Sequence, residues 1–220
     1  LAMPLPIVET TPSFLHKELY TTCNQELDRI AFNLTRFLNR EGFASYFFTR
    51  DGYASLSALK KKPYAAFGHV AAARYAGMGT VGLSHNLLTP EFGPRVRLVS
   101  VLTAAEIEAK PVMVKDLCIK CNACVKCCPK DALKAREDQI RGDYDVNLCI
   151  DQHIELVKQR CYPCGICIKV CPIGKDRALY KQKGINKKYL NEADVLAADP
   201  DAPAYRSWTH VRRHGGRLPE

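Results

Sequence analysis

Two stretches of the chain repeat one cysteine phrase. The first is Cys118-Ile-Lys-Cys121-Asn-Ala-Cys124-Val-Lys-Cys127-Cys128-Pro129, and the second is Cys161-Tyr-Pro-Cys164-Gly-Ile-Cys167-Ile-Lys-Val-Cys171-Pro172. Both reduce to C-x2-C-x2-C-x3-C-P, a spacing that holds [4Fe-4S] clusters. Three thiolates at x2 spacing can bind three irons of one cubane from a single tight loop. The fourth thiolate must come from farther along the chain.

In the two-cluster pattern the last cysteine of each run ligates the other cluster. That predicts cluster I on Cys118, Cys121, Cys124 and Cys171, and cluster II on Cys161, Cys164, Cys167 and Cys128. The proline after each crossing cysteine turns the chain. A pair of zinc sites is the alternative, but a zinc ion needs only four ligands and two full runs exceed that need. Cys23, Cys127 and Cys149 are left over. Cys127 should point away from the cluster its neighbour serves. Cys149, in Asn147-Leu-Cys-Ile-Asp151, is a second candidate for the place given to Cys161. Only one of the two is needed, and both stay open here.

The chain has 220 residues, 47% of them apolar, enough for one large domain or two modest ones. Ten of its eleven cysteines lie between Cys118 and Cys171, which is metal-site crowding and not a dispersed disulfide framework. Thiolate-bound iron fits a reducing compartment, so a cytoplasmic location is expected. No apolar run reaches the roughly 18 residues of a membrane span. The formal charge of +9 counts the cysteines as neutral. Each four-thiolate cluster contributes about −2, which leaves roughly +5. A balance of that size reads first as a solvated surface, with an acidic electron donor or a nucleic acid as alternatives.

The elements that must position these cysteines can be read in order. Leu1 to Val8 looks like the end of a strand, and the chain reads as N-terminally incomplete. Ser13 is an N-cap for a long amphipathic helix marked by Leu19, Leu27, Ile30, Leu34 and Leu38 and ended by Gly42. Cys23 lies within it as a small buried side chain. Phe43 to Thr49 predicts a strand, 51–63 a loop, and Tyr64 to Ala76 a second helix. Arg95 to Thr103 is the clearest strand. The glycines of Gly77-Met-Gly79-Thr-Val-Gly82 follow a helix, so they are not a dinucleotide fingerprint. They still let the backbone approach a cofactor or another segment closely. The basic end of the chain, with Tyr205, Arg206, Trp208, Arg212 and Arg213, is expected to pack back on the earlier domain.

Ala76 to Arg97, including Gly77, Gly79, Gly82, Thr89-Pro-Glu-Phe-Gly-Pro-Arg95 and the two cysteine runs that follow, resembles the epoxyqueuosine reductase and corrinoid reductive dehalogenase superfamily. The resemblance implies an α+β chain. Residues 1–110 would be a partial nitroreductase-like cofactor domain, 111–180 a two-cluster ferredoxin-like module, and 181–220 a basic tail. It implies two [4Fe-4S] clusters passing electrons to a cobalamin, with a flavin as the alternative. Gly77, Gly79, Gly82, Ser84, His85 and Asn86 become candidate cofactor contacts. Members of this superfamily often complete the second cluster with an upstream cysteine, here Cys149. The acidic residue that epoxyqueuosine reductases carry before the glycine loop has no counterpart near Lys62-Pro-Tyr64.

Three functions compete on these grounds. One is an iron–sulfur reductase acting through a corrinoid or flavin, fed by a low-potential donor such as a ferredoxin or flavodoxin. Another is an electron-transfer subunit docking on a partner enzyme. The third is a tRNA-modifying reductase whose basic tail meets RNA.

Overall fold

The structure, a computed structural model, describes residues 2–4 and 12–206. Its elements run β1 (Ala2–Pro4), α1 (Phe14–Arg40), β2 (Ser45–Phe48), α2 (Leu56–Lys61), α3 (His69–Tyr75), β3 (Thr80–Val81), β4 (Leu87–Leu88), β5 (Val96–Leu98) and β6 (Ser100–Thr103). The cysteine-bearing part follows with α4 (Ala123–Lys126), β7 (Leu133–Lys134), β8 (Asp143–Tyr144), α5 (Val146–Lys158), α6 (Ile166–Lys169), α7 (Asp176–Leu179) and α8 (Ile185–Ala198). Helix and sheet are mixed. Among the described residues the strands form four antiparallel pairs, β1–β5, β2–β6, β3–β4 and β7–β8.

The long helix starts as its cap predicts. The Ser13 hydroxyl accepts the His16 N–H at 3.0 Å, satisfying one of the otherwise orphaned donors of the first turn. Leu27 and Ala31 on its inner face pack on Val99, with Phe47 and Val101 beside them. Val99 also explains why the strand expected over 95–103 is two strands. It is turned into this core, while Val96–Leu98 pairs with β1 and Ser100–Thr103 pairs with β2. The stretch 51–63 is not all loop: Ser55 caps the short helix α2, accepting from Ala58 N. The second expected helix is shorter than 64–76 and begins at His69.

The cysteine runs are built on one repeated turn. In each, the residue after the second cysteine is left-handed, Asn122 at φ 59° and Gly165 at φ 67°. Asn and Gly are the residues that adopt this conformation at least cost. A single helical turn follows in each run, α4 and α6. Ala123, Leu156, Cys161, Cys164, Ile166, Val170 and Tyr189 form the core around them. Tyr189 comes from α8, in the stretch read as a polar tail. That helix packs on α4 and completes this core. Trp208, Arg212 and Arg213 lie outside the described residues, as does the expected packing of Trp208.

Side chains far apart in sequence join the two halves. Tyr53 and Tyr162 share a hydroxyl–hydroxyl hydrogen bond of 2.8 Å. Lys60 pairs with Asp151, and Arg95 reaches into the loop that carries Cys171. Among the described residues no helix is long and apolar enough to cross a membrane.

Candidate iron–sulfur centres and acceptor cleft

The thiols gather in two groups. Burial first, then the charges of Cys167, Cys171, Cys121 and Cys118, pushes the Cys124 thiol well above its ordinary range. Cys171 is raised to about 11, chiefly by burial, with Cys121 and Cys118 among its charged neighbours. Cys118, Cys121, Cys124 and Cys171 also line one cavity, together with Gly82, Ser84 and Ile173, and Cys167 borders it from the other group. The second group is Cys128, Cys149, Cys164 and Cys167. Burial pushes Cys167 up to about 12, with Cys149 the next cause and Cys128 a further one. Cys164 is raised by burial and then by Cys167, Cys149 and Cys128. Thiolates that repel one another in a buried space want a cation among them, and an iron–sulfur core supplies it. The donor set fits two four-thiolate clusters.

Cys149 and Cys161 therefore occupy different surroundings. Cys149 sits in the second group, on the first turns of α5. Cys161 lies past the other end of that helix, 4% exposed, with its Sγ 3.1 Å from the Gln159 carbonyl and Leu156, Val170 and Tyr189 in the same core. From Cys149 to Lys158 the helix rises about 14 Å, too far for both cysteines to reach one cubane without unwinding it. Cys127 is turned toward α8, 3.5 Å from the Tyr189 carbonyl. Cys23 is buried in α1, in the first half of the chain.

Several sulfurs accept a hydrogen bond. Ala132 N–H points at Cys128 (3.3 Å), and the Asn86 amide at Cys167 (3.5 Å). Ile166 N–H serves Cys164, Ile173 N–H serves Cys171, and the Tyr144 hydroxyl serves Cys149. Such donors stabilise the more negative reduced state and set cluster potential.

The loop Gly77 to Asn86 has several duties. The space beside Gly77 is filled by Lys110 and Pro111, and beside Gly79 by the Leu88 carbonyl, where a Cβ would stand 2.0 Å away. Gly82 faces the Leu88 side chain. Close approach within the chain thus accounts for these three glycines. Ser84 and Gly82 border the first thiol cavity. His85 bonds the Gly142 carbonyl at 2.7 Å and lies against the ring of Tyr144, the residue bonded to Cys149. Asn86 is the member that faces two ways. It donates to Cys167 and lines a cleft walled by Val70, Leu87, Pro94, Val96, Leu98 and Ile168, with Arg50, His69 and Arg97 as its polar groups.

The cleft's charges are held in place. Arg97 donates to Asn24 (2.9 Å), Tyr20 (3.0 Å) and Asp51 (3.2 Å), and its guanidinium lies over the Tyr20 ring. Arg50 pairs with Asp28 at 2.8 Å. Both His69 nitrogens are engaged, Nε2 by the Thr49 carbonyl and Nδ1 by Ser100 Oγ. Burial pushes its pKa down, so the ring is a neutral structural group at neutral pH. Arg95, which the sequence marks only as a strand start and the end of the Thr89–Arg95 motif, and Arg177 bind backbone carbonyls around Cys171. Burial and the charge of Arg95 lower Arg177 to about 10, still protonated at neutral pH.

Residues 117–175 match a family model described as a 4Fe-4S dicluster domain. The chain is 42% identical over 64 residues to an epoxyqueuosine reductase of Listeria monocytogenes, covering 29% of this chain and 17% of that protein. It is 25% identical over 134 residues to a tetrachloroethene reductive dehalogenase of Desulfitobacterium hafniense, covering 60% of this chain and 22% of the other. The fold aligns with a solved reductive dehalogenase described as acting by B12-dependent dehalogenation. That alignment has a TM-score of 0.61 and 17% identity and covers 97% of this chain and 30% of that one. The chain thus spans about a fifth of the length of these curated relatives, both of which are named reductases.

Proposed function

We propose that this chain relays single electrons through two [4Fe-4S] clusters to a corrinoid lying against the cleft of Arg97 and Asn86, as part of a reductive enzyme. Cluster I uses Cys118, Cys121, Cys124 and Cys171. Cluster II uses Cys128, Cys149, Cys164 and Cys167, with Cys161 left as a core residue. The first 110 residues then form part of a nitroreductase-like cofactor domain. A low-potential carrier such as a ferredoxin or flavodoxin supplies the electrons.

One observation carries the reading: the Asn86 side chain both lines the cleft and donates to the Cys167 sulfur. A single residue therefore separates a cluster II ligand from the space where an acceptor would lie. The cleft suits a macrocycle with an apolar face and a polar rim, because its wall is aliphatic and its polar groups are the Asn86 amide, the Arg50 and Arg97 guanidiniums and His69. A bound corrinoid would supply low-potential metal chemistry. The chain's own residues do the rest. Arg97 is oriented by Tyr20, Asn24 and Asp51 to meet polar groups of a ligand, and the aliphatic wall excludes water.

An electron-transfer subunit with no organic cofactor is the second reading. It is favoured by the pairing of both cleft arginines with carboxylates of the chain, Arg50 with Asp28 and Arg97 with Asp51. The test is cobalamin uptake by the anaerobically reconstituted protein. Equilibrium dialysis should leave about one corrinoid per chain, with its visible band above the broad iron–sulfur absorption, and Arg97→Ala should weaken the uptake. Full iron loading with no cobalamin retained would sink the corrinoid reading and leave the electron-transfer subunit.

A further inference from the structure

We infer that Arg95, Asp176 and Arg177 form a buried positive clamp that raises the reduction potential of cluster I. The inference rests on the cluster assignment proposed above.

The three side chains lie out of water: Arg95 is 0% exposed, Arg177 2% and Asp176 5%. Buried charges are costly unless paired and hydrogen-bonded, so their arrangement needs a reason. Asp176 takes both its bonds from Arg95, at 2.6 and 2.8 Å. The remaining reach of Arg95 goes to carbonyls of the Cys171 loop, Ile168 at 3.3 Å, Cys171 at 3.2 Å, and Ile173. Arg177 comes from the other side. Its Nε donates to the same Cys171 carbonyl at 2.9 Å, and its other nitrogens donate to Gln182 and to the Lys169 carbonyl. Two guanidiniums and a single carboxylate, the latter taken up by Arg95 alone, therefore converge on one ligand residue, which leaves one positive charge in excess.

The sign follows from charge. A four-thiolate cluster is about −2 when oxidised and about −3 when reduced. A fixed positive charge in a low-dielectric interior stabilises the more negative state, and so raises the potential. The clamp also fixes the ligand that arrives from the other cysteine run. Arg95 and Arg177 are thus positioning residues for cluster I. Asn86, at Cys167, acts on the other cluster.

The test is a redox titration of the reconstituted full chain, followed by electron paramagnetic resonance. Arg177→Gln keeps a donor and removes the charge. It should lower one of the two midpoint potentials by at least a tenfold change in the reduced-to-oxidised ratio, about 59 mV for one electron. Arg177→Lys should retain most of the wild-type value, and Asp176→Asn should shift the same couple upward. The couple that moves must differ from the one that Asn86→Ala moves. Three results would overturn the inference: an unmoved potential in Arg177→Gln at full iron, an equal shift in Arg177→Lys, or a downward shift in Asp176→Asn. If Arg177→Gln fails to load, the sign of the Asp176→Asn shift decides. Failure of the parent chain to hold about eight irons is a different result, and it removes the cluster assignment itself.

Discussion

The hydroxyls of Tyr53 and Tyr162 meet at 2.8 Å, although 109 positions separate them. One follows β2 in the first half of the chain, and the other lies between Cys161 and Cys164. Tyr20 stands edge-on to Tyr162 at 5.6 Å and bonds Asp51, so the contact continues into the Arg97 network. The cysteine loop is therefore docked on the same side chains that orient the cleft.

Removing either hydroxyl of this pair should cost about 1 kcal/mol, the net value of a partly buried hydrogen bond. Tyr53→Phe, Tyr162→Phe and the double variant form a cycle read by thermal unfolding of the loaded protein. The double variant should cost less than the sum of the singles. Strict additivity would mean that the two rings hold the halves together without help from the hydroxyl bond.

Cys149→Ala should lower iron from about eight to about four per chain, whereas Cys161→Ala should keep about eight. Cys127→Ala should also keep its iron, since that thiol faces the Tyr189 carbonyl. Iron analysis and the visible spectrum read all three. Cys161→Ala should still cost stability, on the order of 1 kcal/mol, because it leaves a small void in a packed core.

Asn86→Ala should lower the potential of cluster II while leaving its iron in place. One hydrogen bond of about 1 kcal/mol corresponds to roughly 40 mV for a one-electron couple. A redox titration at constant pH checks this. An unchanged potential would mean that the amide serves the cleft alone.

His16 makes folding pH-dependent. Burial holds its pKa at about 4, against an ordinary 6.5, although its ring donates to the Pro163 carbonyl; Nδ1 is buried without a partner among the described residues. The unfolded chain binds this proton more readily, so stability is full above pH 6.5 and falls as pH drops toward 4. At pH 5 the loss amounts to about 2 kcal/mol. His16→Gln should flatten that part of the stability curve relative to the parent, as read by thermal midpoints at pH 7.5 and 5.

The cysteine spacing alone determined the iron–sulfur chemistry, because three ligands at x2 spacing come from one local turn, with Asn122 or Gly165 supplying its left-handed residue. The existence and start of helix α1 were equally legible, since helical period and the Ser13 cap are local signals, but its buried face, His16, Tyr20, Cys23, Asn24, Leu27, Ala31 and Thr35, shares only Leu27 with the aliphatic stripe. What sequence left open was everything set by long-range approach. Cys149 and Cys161 look alike in type and neighbourhood, and only the length and direction of α5 put them in different surroundings. The glycine loop reads as a cofactor cradle, and only the tertiary structure shows that Leu88, Lys110 and Pro111 pack closely against its glycines. Arg95 reads as the start of a strand, and nothing in the sequence marks Arg177. Their shared grip on the Cys171 carbonyl exists only because tertiary packing brings positions 95, 171 and 177 together and shuts water out, so that a charge there acts at full strength.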